Sequence, residues 1–242
     1  YNIIAQHYGV INKISSNAVQ NMSDFAKEKF KEIYGKSVNE AKVLGGFEVL
    51  KLYKDFNANS LDFLLQNCKT TKLAGGTYCL PTKLDTEVVY IINGFHPRQL
   101  EHFTESGRCI VVFTLSGDTN WQVARSNFIG ATFPESANKG SIRRELLDNK
   151  DAFGLEEVSQ GLNGVHLSAG PVEGLVELIR YNSDFRNDAS KKTYKDYSFG
   201  RSIESSFTPS QVESILSNNN LEVEGKMVSI FDLTEEKDSD AA

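Results

Sequence analysis

One histidine in this chain stands among side chains of the kinds that bind phosphate groups. His166 lies in the run Asn163-Gly164-Val165-His166-Leu167-Ser168, and Glu177 follows the histidine by eleven residues. The same stretch holds, ahead of the histidine, Arg125, Thr132 and Arg143. An arginine offers a planar fork to phosphate oxygens, and an imidazole is a nucleophile near neutral pH. Together these residue types indicate chemistry on a phosphate group.

Each of these residues also has an ordinary explanation. A histidine beside apolar residues is more often packed in a core or solvated at the surface than reactive. An adjacent pair such as Arg143-Arg144 is more often a solvated pair than a binding site. The site hypothesis therefore depends on the joint occurrence of these residues within one stretch.

The elements around His166 are expected to fix the orientation of its ring. Polar and apolar residues alternate from Val165 to Ser168, which predicts a short strand with His166 and Ser168 on one face. Gly170-Pro171 is typical of a helix start, because proline suits the first helical position. Glu173 and Glu177 fall one turn apart on one face of that helix, and a carboxylate there is expected to accept the proton of one ring nitrogen. The other ring nitrogen then attacks, with the ordinary histidine pKa of about 6.5.

A longer set of residues carries a resemblance to a known family. The set comprises Ser106-Gly107, the apolar run from Cys109 to Leu115, Arg125, Gly130-Ala131-Thr132-Phe133-Pro134, Ala137, Gly140-Ser141-Ile142-Arg143, Asn163-Gly164-Val165-His166-Leu167-Ser168 and Glu177. In this order the residues resemble those of the nucleoside diphosphate kinases. The N-terminal part of the chain is similar to the family more loosely.

The resemblance implies a role for each site residue. His166 would be the nucleophile that is phosphorylated, Glu177 would orient it, and Ser168 would support it. The phosphates would be held by Arg125, Thr132 and Arg143, and the sugar and phosphate region would be contacted by Asn163. Lys13 is the best counterpart of the family's N-terminal lysine, and Phe95 and Leu100 would contact the base.

The chain departs from the family pattern at several positions. Ala169 and Gly170 stand where the family usually has aspartate and serine. One extra residue lies between Arg125 and Thr132, and a longer segment separates Arg143 from Asn163. The chain therefore resembles a divergent, enlarged branch of the family.

Three functions remain open on this basis. The first is transfer of the terminal phosphoryl group from a nucleoside triphosphate to a nucleoside diphosphate, with Mg²⁺ bridging the outer phosphates. The second is a nucleotide-binding regulatory or scaffold protein with little or no transfer. The third is a different phosphotransfer activity, such as that of a protein histidine kinase. Nucleoside di- and triphosphates are the expected ligands, and the resemblance implies a homo-oligomer.

Composition excludes several other classes of protein. The net charge is −6, so no global basic field attracts nucleic acid. The longest apolar runs, Val88 to Ile92 and Cys109 to Leu115, are too short to cross a bilayer, so we expect no membrane partner. The three cysteines are odd in number and form no Cys-x-x-Cys pair, which favours a reducing compartment and a cytoplasmic location.

The resemblance also implies the fold, an α+β domain with a ferredoxin-like four-stranded antiparallel sheet and covering helices. We expect this domain to span residues 1–185, with insertions near 57–93 and 144–162, and a C-terminal extension at 186–242. In the first insertion, Lys72 beside Gly75-Gly76 belongs either to an exposed loop or to a rebuilt part of the nucleotide clamp. Strands are expected within Asn2 to Ile14, at Phe47 to Phe56, at Cys109 to Leu115, around His166 and at Val228 to Phe231.

Overall fold

The structure is a computed structural model that describes residues 7–183 and 190–242. The chain divides into two compact units, Tyr1–Val111 and Val112–Ala242, and each is described by itself. The domain boundary expected between residues 185 and 186 lies outside the described residues. That division of the chain stays a prediction.

The first unit is built on a four-stranded sheet. Its elements are α1 Gly9–Ser16, α2 Ala18–Asn21, α3 Asp24–Tyr34, β1 Lys42–Gly45, α4 Gly46–Leu52, α5 Ala58–Gln66, β2 Thr71–Ala74, β3 Thr77–Leu84, β4 Glu87–Ile92 and α6 His96–Thr104. The strand order is β1-β4-β3-β2. The chain is thus α+β, but the sheet is mixed rather than antiparallel throughout, because β1 and β4 run parallel. A parallel pair needs a long crossover connection, and residues 46–86 provide it.

Helices cover both faces of this sheet. Along β4, Tyr90 and Ile92 pack into a cluster that contains Phe30 of α3. The alternate residues, Val89 and Ile91, pack into a second cluster with Leu61 of α5. Successive strand residues point to opposite faces, so these two clusters lie on opposite sides of the sheet. Since β4 is buried on both sides, its sequence is a continuous apolar run.

The segment 57–93 forms most of the sheet, and its status as an insertion relative to the family stays a prediction. It contains α5 and three of the four strands, β2, β3 and β4. Lys72 lies in β2, and Gly75-Gly76 forms the turn to β3, where Gly76 has a φ of +64°. These strands were not predicted, because isolated apolar runs do not reveal which of them pair with one another.

Two expected strands of this unit are helices. Phe47 to Phe56 begins as α4, because Glu48 accepts the backbone N–H groups of Gly45 and Ala18 and so caps the helix start. In the segment Asn2 to Ile14, the described part is mainly α1, and residues 2–6 lie outside the description. Gly35 ends α3 in the left-handed conformation.

The second unit is mainly helical. Its elements are α7 Trp121–Val123, a π-helical turn Ala124–Ile129, a 3₁₀ turn Pro134–Ser136, α8 Ile142–Asp148, α9 Pro171–Asn182, a 3₁₀ turn Tyr194–Asp196, α10 Ser198–Ser206, α11 Pro209–Leu216, β5 Asn220–Val223, β6 Lys226–Ser229 and α12 Ile230–Thr234. Leu175 of α9, Ile203 of α10 and Val212 of α11 form the core. The helix predicted to begin at Pro171 is confirmed. The expected late strand is β6, which ends at Ser229 where α12 begins.

Two further strand expectations are wrong. Residues 109–115 carry no strand and are exposed, with Val111 at 74% and Phe113 at 78%. A strand needs a hydrogen-bonded neighbour, and this run has none within the described ranges. The residues around His166 are also irregular in backbone, although His166 and Ser168 still direct their side chains to one place.

Within residues 7–183 and 190–242, no helix is long and apolar enough to cross a membrane.

His96 is a fully buried polar group of the first unit. Its Nδ1 lies 3.0 Å from Oε1 of Gln99 and its Nε2 lies 3.1 Å from Oδ1 of Asn12. Burial lowers the pKa of His96, and the hydrogen bond with Gln99 only partly opposes this. The ring is therefore held neutral in the folded chain.

We expect the free energy of unfolding to fall as the pH is lowered from 7.5 to 5. The unfolded chain protonates His96 below a pKa of about 6.5, whereas the folded chain resists protonation. The contribution of His96 is thus fully present above that value and is lost as the pH falls through the lowered folded pKa. In His96→Gln the loss should be smaller, as measured by urea unfolding followed by circular dichroism. An identical pH slope in both proteins would contradict the assignment.

Candidate functional site

The centre of the site is a buried carboxylate shared by two side chains. Glu177 of α9 accepts a hydrogen bond from Oγ of Ser168 at 2.5 Å. Its two oxygens lie 2.9 and 3.2 Å from Nε2 of His166. The side chain of Glu177 is only 11% exposed, whereas that of His166 is 50% exposed. The carboxylate therefore holds the ring from the protein side, and the ring borders solvent.

This contact changes the protonation of His166. Desolvation lowers the pKa of the ring, but the hydrogen bond and charge of Glu177, with the charge of Glu173, outweigh it, and the pKa of His166 is raised. The ordinary value expected from the sequence is thus corrected upward. A proton on Nε2 fixes the tautomer in which Nδ1 carries the lone pair.

His166 borders a cavity of about 540 Å³ in the second unit. Its lining is Arg125, Ser126, Ile129, Gly130, Ala131, Thr132, Ser136, Asn138, Arg143, His166, Leu167, Ala169, Glu173 and Glu236. Four residues selected from the sequence, Arg125, Thr132, Arg143 and His166, therefore meet around one space. The cavity combines two cations with one nucleophile.

Arg143 of α8 connects two walls of this cavity. Its guanidinium donates to the carbonyl of Gly130 at 3.0 Å and to the carbonyl of Val165 at 3.0 Å. Gly130 has a φ of +97°, and a Cβ there would lie 2.5 Å from Oγ of Ser141, so the position needs glycine. The Nε atom of Arg143 is buried without a hydrogen-bond partner within the described residues. The arginine therefore both orders the wall and retains an unused donor.

Arg125, the second arginine of the cavity lining, lies in the π-helical turn Ala124–Ile129. It donates to the carbonyl of Ala169 at 3.1 Å and forms an ion pair with Glu235 at 2.5 Å. Glu236 lies 3.9 Å from its Nε. A π-helical turn is uncommon and often occurs at functional sites.

The remaining sequence-predicted residue of the second unit is Asn163. Its side-chain amide donates to the carbonyls of Thr132 at 3.3 Å and Gln160 at 3.1 Å. Thr132 is exposed and lines the cavity. Asn163 thus holds the segment that presents Thr132.

The turn at Ala169-Gly170 is closed by Glu173 and by the C-terminal segment. Glu173 accepts a hydrogen bond from the backbone N–H of Ala169. A Cβ on Gly170 would overlap the carbonyl oxygen of Thr234, at the end of α12. The departures from the family pattern therefore coincide with the place where the C-terminal segment packs. The position of Glu173, three residues after Gly170, was a helix-start signal that could have been used.

Trp121 and Asp238 are two further groups that the sequence did not single out. Nε1 of Trp121 donates to the carbonyl of Ser168 at 2.9 Å. The backbone N–H of Trp121 donates to Asp238 at 2.8 Å. These bonds connect the start of α7 to Ser168, the hydrogen-bond partner of Glu177, and to the C-terminal segment. No local sequence signal announces contacts between residues so distant in the chain.

Three predicted site residues belong to the first unit. Lys13 is an exposed residue of α1. Phe95 packs beside Tyr78, and Leu100 is 3% exposed in the interior. Leu100 therefore offers little surface for contact with a base, and the binding roles of Lys13 and Phe95 stay predictions.

No protein-family model, curated protein or solved structure matches the chain. The family resemblance noted in the sequence therefore stays a hypothesis. The function has to follow from the chemistry of the cavity.

The pKa of His166 should depend on Glu177. We expect the wild-type pKa to lie above about 6.5, and we expect Glu177→Gln to lower it because the charge is lost while partial burial remains. Glu173→Gln, which removes a more remote charge, should lower it less. The measurement is NMR titration of the His166 ring protons. Equal pKa values in wild type and Glu177→Gln would rule out the pairing.

Gly170→Ala should loosen the C-terminal segment. The added methyl group overlaps the Thr234 carbonyl, and overpacking of this kind costs about 1–3 kcal/mol. Gly161→Ala is the matched control, because open space surrounds that glycine. Urea unfolding followed by fluorescence of Trp121, the only tryptophan, reports on this unit. Equal destabilisation by the two changes would show that Thr234 does not pack on Gly170.

Proposed function

We propose that the chain transfers the terminal phosphoryl group of a nucleoside triphosphate to a nucleoside diphosphate through a phosphohistidine at His166. The observation that carries the proposal is the contact between Glu177 and Nε2 of His166, at the edge of a cavity that two arginines line. A nucleophile with a fixed tautomer beside paired cations suits phosphoryl transfer.

The proposed reaction has two balanced steps. The Nδ1 lone pair of His166 attacks the terminal phosphorus, and the bond from that phosphorus to the bridging oxygen breaks. The nucleoside diphosphate leaves with the electron pair. In the second step a terminal oxygen of another nucleoside diphosphate attacks the phosphorus, the phosphorus–nitrogen bond breaks, and its electrons return to Nδ1. Glu177 stabilises the cationic ring in both steps.

The arginines supply charge where the phosphoryl group would lie. Burial lowers the pKa of Arg143, and the positive charge of Arg125 lowers it further. Two like charges at one cavity repel each other, and a polyanion bound between them relieves the repulsion. The exposed hydroxyl of Thr132 adds hydrogen-bond capacity for phosphate oxygens.

Magnesium would enter this cavity on the nucleotide rather than on a protein ligand set. Of the two lining carboxylates, Glu173 accepts a backbone hydrogen bond and Glu236 lies beside Arg125. Neither is presented as a cation ligand, and magnesium commonly keeps waters and phosphate oxygens as its ligands. Bound there, the ion would neutralise phosphate charge.

The ferredoxin-like sheet and the homo-oligomer implied by the resemblance are not needed for this chemistry. All residues assigned to phosphoryl transfer belong to the second unit, whose described part contains only the two-stranded β5–β6 sheet. The proposal therefore depends only on the residues of the second unit that line or border the cavity.

A second candidate is a nucleotide-binding protein without transfer. The departures at Ala169 and Gly170 favour it, because the family that the sequence resembles usually has aspartate and serine there. Binding without formation of a phosphoprotein would distinguish it from the first proposal.

We expect the wild-type chain, incubated with magnesium and γ-labelled nucleoside triphosphate, to become labelled. The label should be acid-labile and alkali-stable, as a phosphorus–nitrogen bond is, and added nucleoside diphosphate should discharge it. The rate of labelling should rise with pH through the raised pKa of His166, because the neutral ring is the nucleophile.

His166→Ala should bind nucleotide and acquire no label. His102→Ala, which removes a histidine of the first unit, is the matched control and should label like the wild type. Nucleotide binding without label in the wild type would favour the second candidate. Absence of both binding and label would remove both candidates.

A further inference from the structure

Two acidic side chains near the C-terminus compete for an arginine of the cavity. Arg125 forms an ion pair with Glu235 at 2.5 Å, and Glu236 lies 3.9 Å from its Nε. Arg125 and Glu236 both line the cavity that His166 borders. The carboxylates therefore occupy the same guanidinium that an anionic ligand would use.

The backbone of the segment, rather than these carboxylates, fixes its place. The N–H of Glu236 donates to the carbonyl of Ala169 at 2.9 Å. Thr234 packs against Gly170, and Asp238 accepts from the backbone N–H of Trp121. Residues 234–238 are thus held at the turn that follows Ser168, and the carboxylates are carried there with them.

The contact is suited to exchange with a phosphate. A guanidinium presents the same donor fork to a carboxylate and to a phosphate. The side chains are partly exposed, Arg125 at 28%, Glu235 at 44% and Glu236 at 41%. Rotation of two glutamate side chains would release Arg125, and the backbone anchors would stay in place.

We propose that Glu235 and Glu236 form a built-in competitor that lowers the affinity of the cavity for polyphosphate anions. The inference rests on the proposed function in so far as Arg125 is taken as a phosphate ligand. A bound polyphosphate displaces the two carboxylates, and the carboxylates return when it leaves. The C-terminal segment thereby sets the concentration of anion at which the cavity fills.

The test uses the full chain and a double substitution, Glu235→Gln with Glu236→Gln. Glutamine keeps the size of each side chain and removes its charge, and the backbone anchors are untouched. The matched control, Glu222→Gln with Glu224→Gln, removes two charges from the exposed β5–β6 hairpin. Calorimetry measures the dissociation constants of inorganic tripolyphosphate and of a nucleoside diphosphate for the three proteins at low salt.

The double variant should bind tripolyphosphate about threefold to tenfold more tightly than the wild type, the range that two partly exposed ion pairs give. The control should change the dissociation constant much less. The gain should shrink at about 0.5 M salt, because screening weakens the ion pairs. An unchanged constant would overturn the proposal, and so would weaker binding, which would make the carboxylates ligands of a cation that accompanies the anion.

The two proposals fail separately. Tighter binding in the double variant, without a phosphoprotein in any variant, would sustain the competitor and end the transfer function. Phosphoprotein formation with equal dissociation constants would do the reverse. Failure of both tripolyphosphate and the nucleoside diphosphate to bind any of the three proteins, without formation of a phosphoprotein, would overturn both.

Discussion

The cost of removing a carboxylate from water must be offset by hydrogen bonds, and this constraint applies to Glu177, a buried acidic residue of the second unit. Its partners are the hydroxyl of Ser168 and the ring of His166. Burial of an unpaired carboxylate would be strongly unfavourable, so helix α9 and the segment before it have to pack together for the charge to be satisfied. The orientation of the histidine follows from this constraint, since the ring is one of the groups that satisfy it.

The cavity wall is stabilised by bonds to backbone carbonyls. Arg143 joins the carbonyls of Gly130 and Val165, and Arg125 reaches that of Ala169. Trp121 reaches the carbonyl of Ser168. Irregular backbone has no ladder of its own, so side-chain donors satisfy its carbonyls instead. The segment that carries His166 is thereby ordered without being a strand.

Local sequence signals predicted the site better than they predicted the fold. The approach of Glu177 to His166, and the start of its helix at Pro171, follow from helix-start chemistry and short spacing. The sheet was misassigned because pairing between β1 and β4 joins residues far apart in the chain, which periodicity cannot reveal. Glu48 turned an apparent strand into α4 through contacts that depend on the folded chain. Glu235 and Asp238 were not predicted for the same reason, because their hydrogen-bond partners lie more than a hundred residues away in the sequence.

The π-helical turn from Ala124 to Ile129 sets the spacing of residues along one wall of the cavity. Its closing bond runs from the N–H of Gly130 to the carbonyl of Arg125, five residues back instead of four. A turn closed over five residues holds one residue more than an ordinary helical turn. Arg125 and Gly130, which this bond joins, both line the cavity. The wider winding therefore separates two residues of the same wall by one residue more than an α-helical turn would.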